Sequence, residues 1–210
     1  MALLNNMSSL IGMLMQPDQN EESKQLANRA GVDTNDFAKI ASIGLPLLLQ
    51  GINRNNQSQT GLESFNQALN QHQTRNNYDS LNQFAQNVDV DDGGKIVNHV
   101  LSGNQENVNA SLSNRLGVSP QTVQRTLAVL APLVLKYLAD QKQKNNLGPT
   151  EIKDETQNAT QEVAQQVRNY NQTDQSSGGL LGNLLNSFGN NNQTNEKDDG
   201  LLGDLFNLFK

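Results

Sequence analysis

Residues 26–52, LANRAGVDTNDFAKIASIGLPLLLQGI, align without a gap on residues 112–138, LSNRLGVSPQTVQRTLAVLAPLVLKYL. Leu26, Asn28, Arg29, Gly31, Val32, Pro46, Leu47 and Leu49 recur as Leu112, Asn114, Arg115, Gly117, Val118, Pro132, Leu133 and Leu135. Two copies are too few for a solenoid. They predict a pseudo-symmetric helical domain in which the two units pack on each other.

Each copy has the same local grammar. A short amphipathic helix ends at a glycine suited to a left-handed turn. One apolar residue, Val32 or Val118, then enters the core. Asp33 or Ser119 is placed as the cap of the next helix, and Pro120 follows its cap at the first helical position. That second helix becomes apolar nearly all round, as in LAVLAPLVLKYLA, which predicts burial at the centre of the core. Pro46 and Pro132 fall inside these runs and predict a kink or a helix restart.

Three further amphipathic segments lie between the copies. Leu62, Phe65 and Leu69 define the first, and Tyr78, Leu81, Phe84, Ala85 and Val88 the second. Ile96, Val97, Val100 and Leu101 define the third, with Asp92 expected as its cap. No segment alternates with period two, so an all-α multihelical domain is expected over about residues 1–145. Residues 146–177 read as a polar linker helix with a thin stripe of Ile152, Ala159, Val163, Val167 and Tyr170. Residues 178–210 read as a flexible tail carrying two apolar boxes, GLLGNLLNSF (179–188) and GLLGDLFNLF (200–209).

The LGVS…LAPLVL unit, DDGGKIVNHVLSG (91–103) and the GLLG boxes resemble the YidB-like family of bacterial proteins (domain of unknown function 937). The resemblance covers most of the first 145 residues and recurs in the tail. It implies an all-helical fold and supplies no catalytic, cofactor or binding residue. The chain departs from the family pattern in its richness in Asn and Gln and in its long linker helix.

The 112–127 unit also has the form of a helix-turn-helix DNA reader. Gly117 would be the turn glycine, with Gln121, Thr122, Gln124 and Arg125 facing bases or phosphates. Residues 107–144 carry Arg115, Arg125, Lys136, Lys142 and Lys144 against Asp140. Three features oppose nucleic-acid binding. The twin unit has Asp33 and Asp36 where phosphates would lie, the second helix runs into a buried segment, and the same turn joins packed helices anywhere. The net charge of −6 over 210 residues also has the wrong sign for wrapping nucleic acid or lying on anionic lipid.

Enzyme chemistry has little to work with. The chain has no cysteine, which removes thiol nucleophiles and thiolate metal sites and fits a reducing, cytoplasmic setting. His99 and His72 are far apart in sequence, so His99 is expected at the border of the core and not at a metal. DVDDGG lacks the later glutamate of a calcium loop, and SSGGLLGNLLNSFG lacks the strand and Lys-Ser/Thr pair of a phosphate loop. No cofactor or metal is expected, and no apolar stretch is long enough to span a bilayer. In the second box, Leu201, Leu202, Leu205, Phe206, Leu208 and Phe209 cluster, and an exposed patch of this kind asks for a partner, with docking into a groove on its own domain or on another copy expected ahead of folding back to complete the core. Weak contact with a membrane surface is opposed by Asp198, Asp199 and Asp204. The expectation is a non-enzymatic protein acting by protein–protein contact or self-association.

Overall fold

A computed structural model describes residues 6–16, 19–75, 78 and 80–173. Its described residues form an all-α, multihelical domain. In chain order the helices are α1 (Met7–Met15), α2 (Glu21–Ala30), α3 (Thr34–Asn55), α4 (Gln59–Arg75), α5 (Leu81–Asn87), α6 (Val90–Val100), α7 (Gln105–Leu116), α8 (Pro120–Asn145) and α9 (Pro149–Thr173).

Local chemistry explains most of the boundaries. Gly31 and Gly117 follow α2 and α7, both with φ of 67°, a region where a side chain would be strained. Asp33 accepts from the amides of Asn35 (2.9 Å) and Asp36 (3.3 Å), starting α3. Ser119 accepts from Thr122 N at 3.0 Å, starting α8. Val32 and Val118 are partly buried against the core. The cap of α6 is Asp89, not the expected Asp92. Its Oδ1 accepts from Asp91 N (2.9 Å) and Asp92 N (3.1 Å), so the helix begins at Val90 and runs through both glycines. Asp92 falls in the first turn, where its charge suits the positive end of the helix dipole.

The core is built around α8. Every residue from Thr126 to Ala139 is buried, and α8 packs against α2, α3, α4, α6, α7 and α9. Each large aliphatic side chain taken fully out of water contributes about 1.5–3 kcal/mol, so this segment and the equally buried run 40–49 of α3 together supply much of the stability of the domain. Both prolines lie inside continuous helices, Pro46 in α3 and Pro132 in α8, and neither causes a restart.

Pro132 nevertheless has a tertiary consequence. A proline leaves the carbonyl four residues before it without its helical donor, and here that carbonyl belongs to Ala128. The α6 backbone packs against it at Gly93. A methyl group added there would fall 1.8 Å from Ala128 O, so only glycine allows the approach.

Helix α1 and the polar helix α9 close the other side. Met7, Leu10, Ile11 and Leu14 of α1 are buried, and α1 packs on α3 and α9. Ile152, Ala159, Val163 and Val167 of the α9 stripe are buried in the same core as the rest of the domain. Asn53 Nδ2 donates to Thr160 Oγ1 at 2.8 Å, tying α3 to α9. The two apolar boxes, including Leu201, Leu202, Leu205, Phe206 and Phe209, lie outside the described residues.

Candidate functional site

Helix α6 lies between two hollows of different chemistry. On its N-terminal side is a polar cleft of about 540 Å³ lined by Arg29, Gly31, Asp91, Gly94, Gln121, Gln124 and Arg125, among others. Three of the four residues singled out from the helix-turn-helix pattern therefore meet in one place. The fourth, Thr122, is occupied locally, its hydroxyl 2.7 Å from Ser119 Oγ.

The cleft is already partly neutralised. Arg29 donates to the Val88 carbonyl through both Nε, at 2.9 Å, and Nη2. Asp91 puts a carboxylate on the same wall. The basic excess counted along 107–144 is also smaller at the surface. Lys136 is buried in an ion pair with Asp140, and Lys142 donates to Asn70 Oδ1. Desolvation pushes the Lys142 ammonium below the usual lysine range.

On the C-terminal side of α6 is a groove of about 240 Å³ between α4 and α6. Phe65 and Ala68 line it from α4, Ile96 and Val100 from α6, and Ile52 and Leu135 from α3 and α8. Phe65 and Ile96 are only partly buried, although both pack against the core. His72, Lys95 and His99 also line the groove. The two histidines, distant in sequence, thus share one site, yet no group of three or more metal-ligating side chains occurs among the described residues.

The α3 end of the groove is polar. Asn55 Nδ2 lies 3.4 Å from both the His99 and Val100 carbonyls, holding the end of α3 to the end of α6. Asn56 lines the groove and is 1% exposed, and its side-chain nitrogen and oxygen have no hydrogen-bond partner among the described residues. A buried carboxamide without partners costs roughly 1–3 kcal/mol for each unpaired group, and Asn56 is the one such side chain among the described groove-lining residues. Sequence reasoning missed it, because an asparagine in NRNNQSQ looks like ordinary loop chemistry.

A second polar cluster joins α8 to α9. Tyr137 OH donates to Glu155 Oε1 at 3.4 Å. Burial pushes the Tyr137 phenol well above its ordinary range, keeping it a donor. Burial also raises the Glu155 carboxyl, an effect that the Tyr137 hydrogen bond partly offsets. The contact fastens the edge of α9.

No helix among the described residues is long and apolar enough to cross a membrane. A family model described as a bacterial protein of unknown function (DUF937) matches residues 12–141. No curated protein and no solved structure matched the chain. The match runs from within α1 to the last turns of α8 and includes both hollows beside α6, leaving residues 1–11 and 142–210, with all of α9, outside it. Because it covers well over half of the 210 residues, the chain belongs to the DUF937, or YidB-like, family.

Proposed function

We propose that this protein is a non-enzymatic interaction module that receives an amphipathic apolar helix in the groove between α4 and α6. The α2–α3 and α7–α8 units, read as two copies of one packing motif, serve as its scaffold. The observation that carries this reading is the groove itself: apolar walls with Phe65 and Ile96 left partly open, and the unpartnered carboxamide of Asn56 lining it. Its volume of about 240 Å³ is below the range of about 300–1,000 Å³ common for small-molecule sites. A groove walled by two helices suits a ligand that docks a row of side chains at i, i+4 and i+7. Such a ligand can come from another protein or from a second copy.

The test uses the full chain with its own second box disabled by Phe206→Asp and Phe209→Asp, titrated with a fluorescent peptide of residues 200–210. Saturable binding by anisotropy, lost when Ile96→Asp is added, is the expected result. Absence of saturable binding overturns the proposal.

A nucleic-acid-binding role for the 112–127 unit is the alternative. One observation favours it: Arg29 and Arg125 line the same cleft as Gln121 and Gln124. Asp91 on the cleft wall and the engagement of Arg29 by Val88 weigh against it. Duplex DNA at low and moderate salt should show no retardation. Salt-sensitive retardation abolished by Arg125→Glu would establish the alternative.

A further inference from the structure

We infer that the groove between α4 and α6 is occupied by this chain's own second apolar box, residues 200–209, docked as a short amphipathic helix. The inference rests on the groove being a helix-receiving site, as proposed above. It adds an occupant.

The residue pattern of the box fits the groove. At helical spacing, Leu201, Leu205 and Leu208 form one i, i+4, i+7 row, and Leu202, Phe206 and Phe209 form the adjacent row. Asn207 and Gly203 fall away from these rows. Asp204, three residues after Leu201 and four before Leu208, sits at the edge of the apolar face. The groove has the matching arrangement: an apolar channel with the exposed Lys95 among its lining residues and Asn56 holding an unused donor and acceptor. A carboxylate at that edge can answer the exposed Lys95 ammonium.

Charge and contact distinguish the two boxes. The first has Asn183 where the second has Asp204, and Ser187 where the second has Leu208. It lacks both the anionic edge and one apolar contact, so the second box is the occupant.

Chain length favours docking within one molecule. Residues 174–200 join the end of α9 to the box, and their composition is rich in Asn, Gly and Ser. A linker of this length has an r.m.s. span of roughly 30 Å and a maximum reach of about 90 Å. A folded domain of this size has a radius of gyration of only about 15 Å, so the box can reach any face. Tethering gives an effective concentration of the order of millimolar, far above that of a second copy in dilute solution. A helix this short is marginal by itself, so its folding is coupled to docking.

The absence of native cysteine permits a direct test. The full chain carrying Ala68→Cys and Leu205→Cys is oxidised at low micromolar concentration and compared with Ala68→Cys, Leu184→Cys. The expected result is a disulfide within one chain, formed at least about tenfold faster at 205 than at 184 and slowed by Ile96→Asp. In parallel, wild type should bind the 200–210 peptide about tenfold or more weakly than the chain with Phe206→Asp and Phe209→Asp, because its own box competes. Equal rates for the two boxes, or disulfides formed only between chains, overturn the inference. If that happens while the disabled chain still binds the peptide, the groove reading survives and only the occupant is wrong. If neither crosslink nor peptide binding is seen, both fall.

Discussion

The two hollows beside α6 share a wall and differ in everything a ligand would feel. The N-terminal half of α6 borders a cleft of charged and amide side chains, with Asp91 lining it beside the two arginines and Arg29 held by a backbone carbonyl. The C-terminal half borders a smaller apolar groove in which Asn56 has no partner among the described residues. The larger cleft contains the residues that look like a DNA reader, with one of its two arginines engaged by a backbone carbonyl and a carboxylate residue among its lining. The smaller groove contains apolar surface and a carboxamide still to be satisfied. Unmet physical requirements, more than the size of a hollow or its likeness to a motif, identify the better candidate for binding.

Displacing α6 should have the largest effect, since both hollows depend on it. Gly93→Ala would drive a methyl group into Ala128 O, a backbone atom that no rotamer change can relieve. A loss of about 3 kcal/mol is expected, measured as a lower urea midpoint, together with loss of peptide binding. A midpoint near that of wild type would show that α6 can retreat from α8 without cost.

The second test separates what the groove needs from what the fold needs. Asn56→Leu replaces a partnerless buried amide with an apolar side chain of similar size. It should stabilise the isolated chain by about 1 kcal/mol while weakening binding of the 200–210 peptide. A stability loss in thermal unfolding would mean that the carboxamide is already satisfied.

Gly94→Ala gives a smaller effect of opposite sign to its neighbour's. Nothing lies within 4 Å of a methyl group at Gly94, and the position is inside a helix. Removing the backbone entropy of glycine should raise stability by about 0.5–1 kcal/mol. The two adjacent glycines thus differ by contact and not by propensity, and equal effects in the same urea titration would refute that.

Arg125→Glu should change least. It sits in the polar cleft and outside the groove, so peptide affinity measured by anisotropy should remain at the wild-type value. A clear drop would mean that the two hollows are coupled through α6.

How far these features were legible depended on the distance along the chain over which they are encoded. The left-handed glycines at 31 and 117 and the caps Asp33 and Ser119 are set within a few residues, and their chemistry could be read directly. Several aspartates compete to cap α6, and the cap is Asp89, three residues before the expected Asp92. Asp89 wins since Val90 is partly buried at the first helical position, and the two glycines are tolerated inside a helix that is packed on α8. The α9 stripe was visible, but a linker and a packed helix have the same pattern until α1 and α3 supply a surface for it. Lys136 looked like part of a basic surface because its burial beside Asp140 follows from neighbours distant in sequence. The groove was invisible, since Ile52, Phe65, Ile96 and Leu135 come from four different helices.

By itself, the sequence determined the helical class, the matched turns, the buried centre of α8 and the family, because periodicity, capping and backbone sterics act over single turns. Only the tertiary structure decided that α6 presses its glycine against the carbonyl freed by Pro132, that Gln121, Gln124 and Arg125 meet Arg29 and Asp91 in one cleft, and that an apolar groove opens beside Asn56. Those arrangements depend on how helices from separate parts of the chain share one core, and no local run of residues encodes the packing that brings them together.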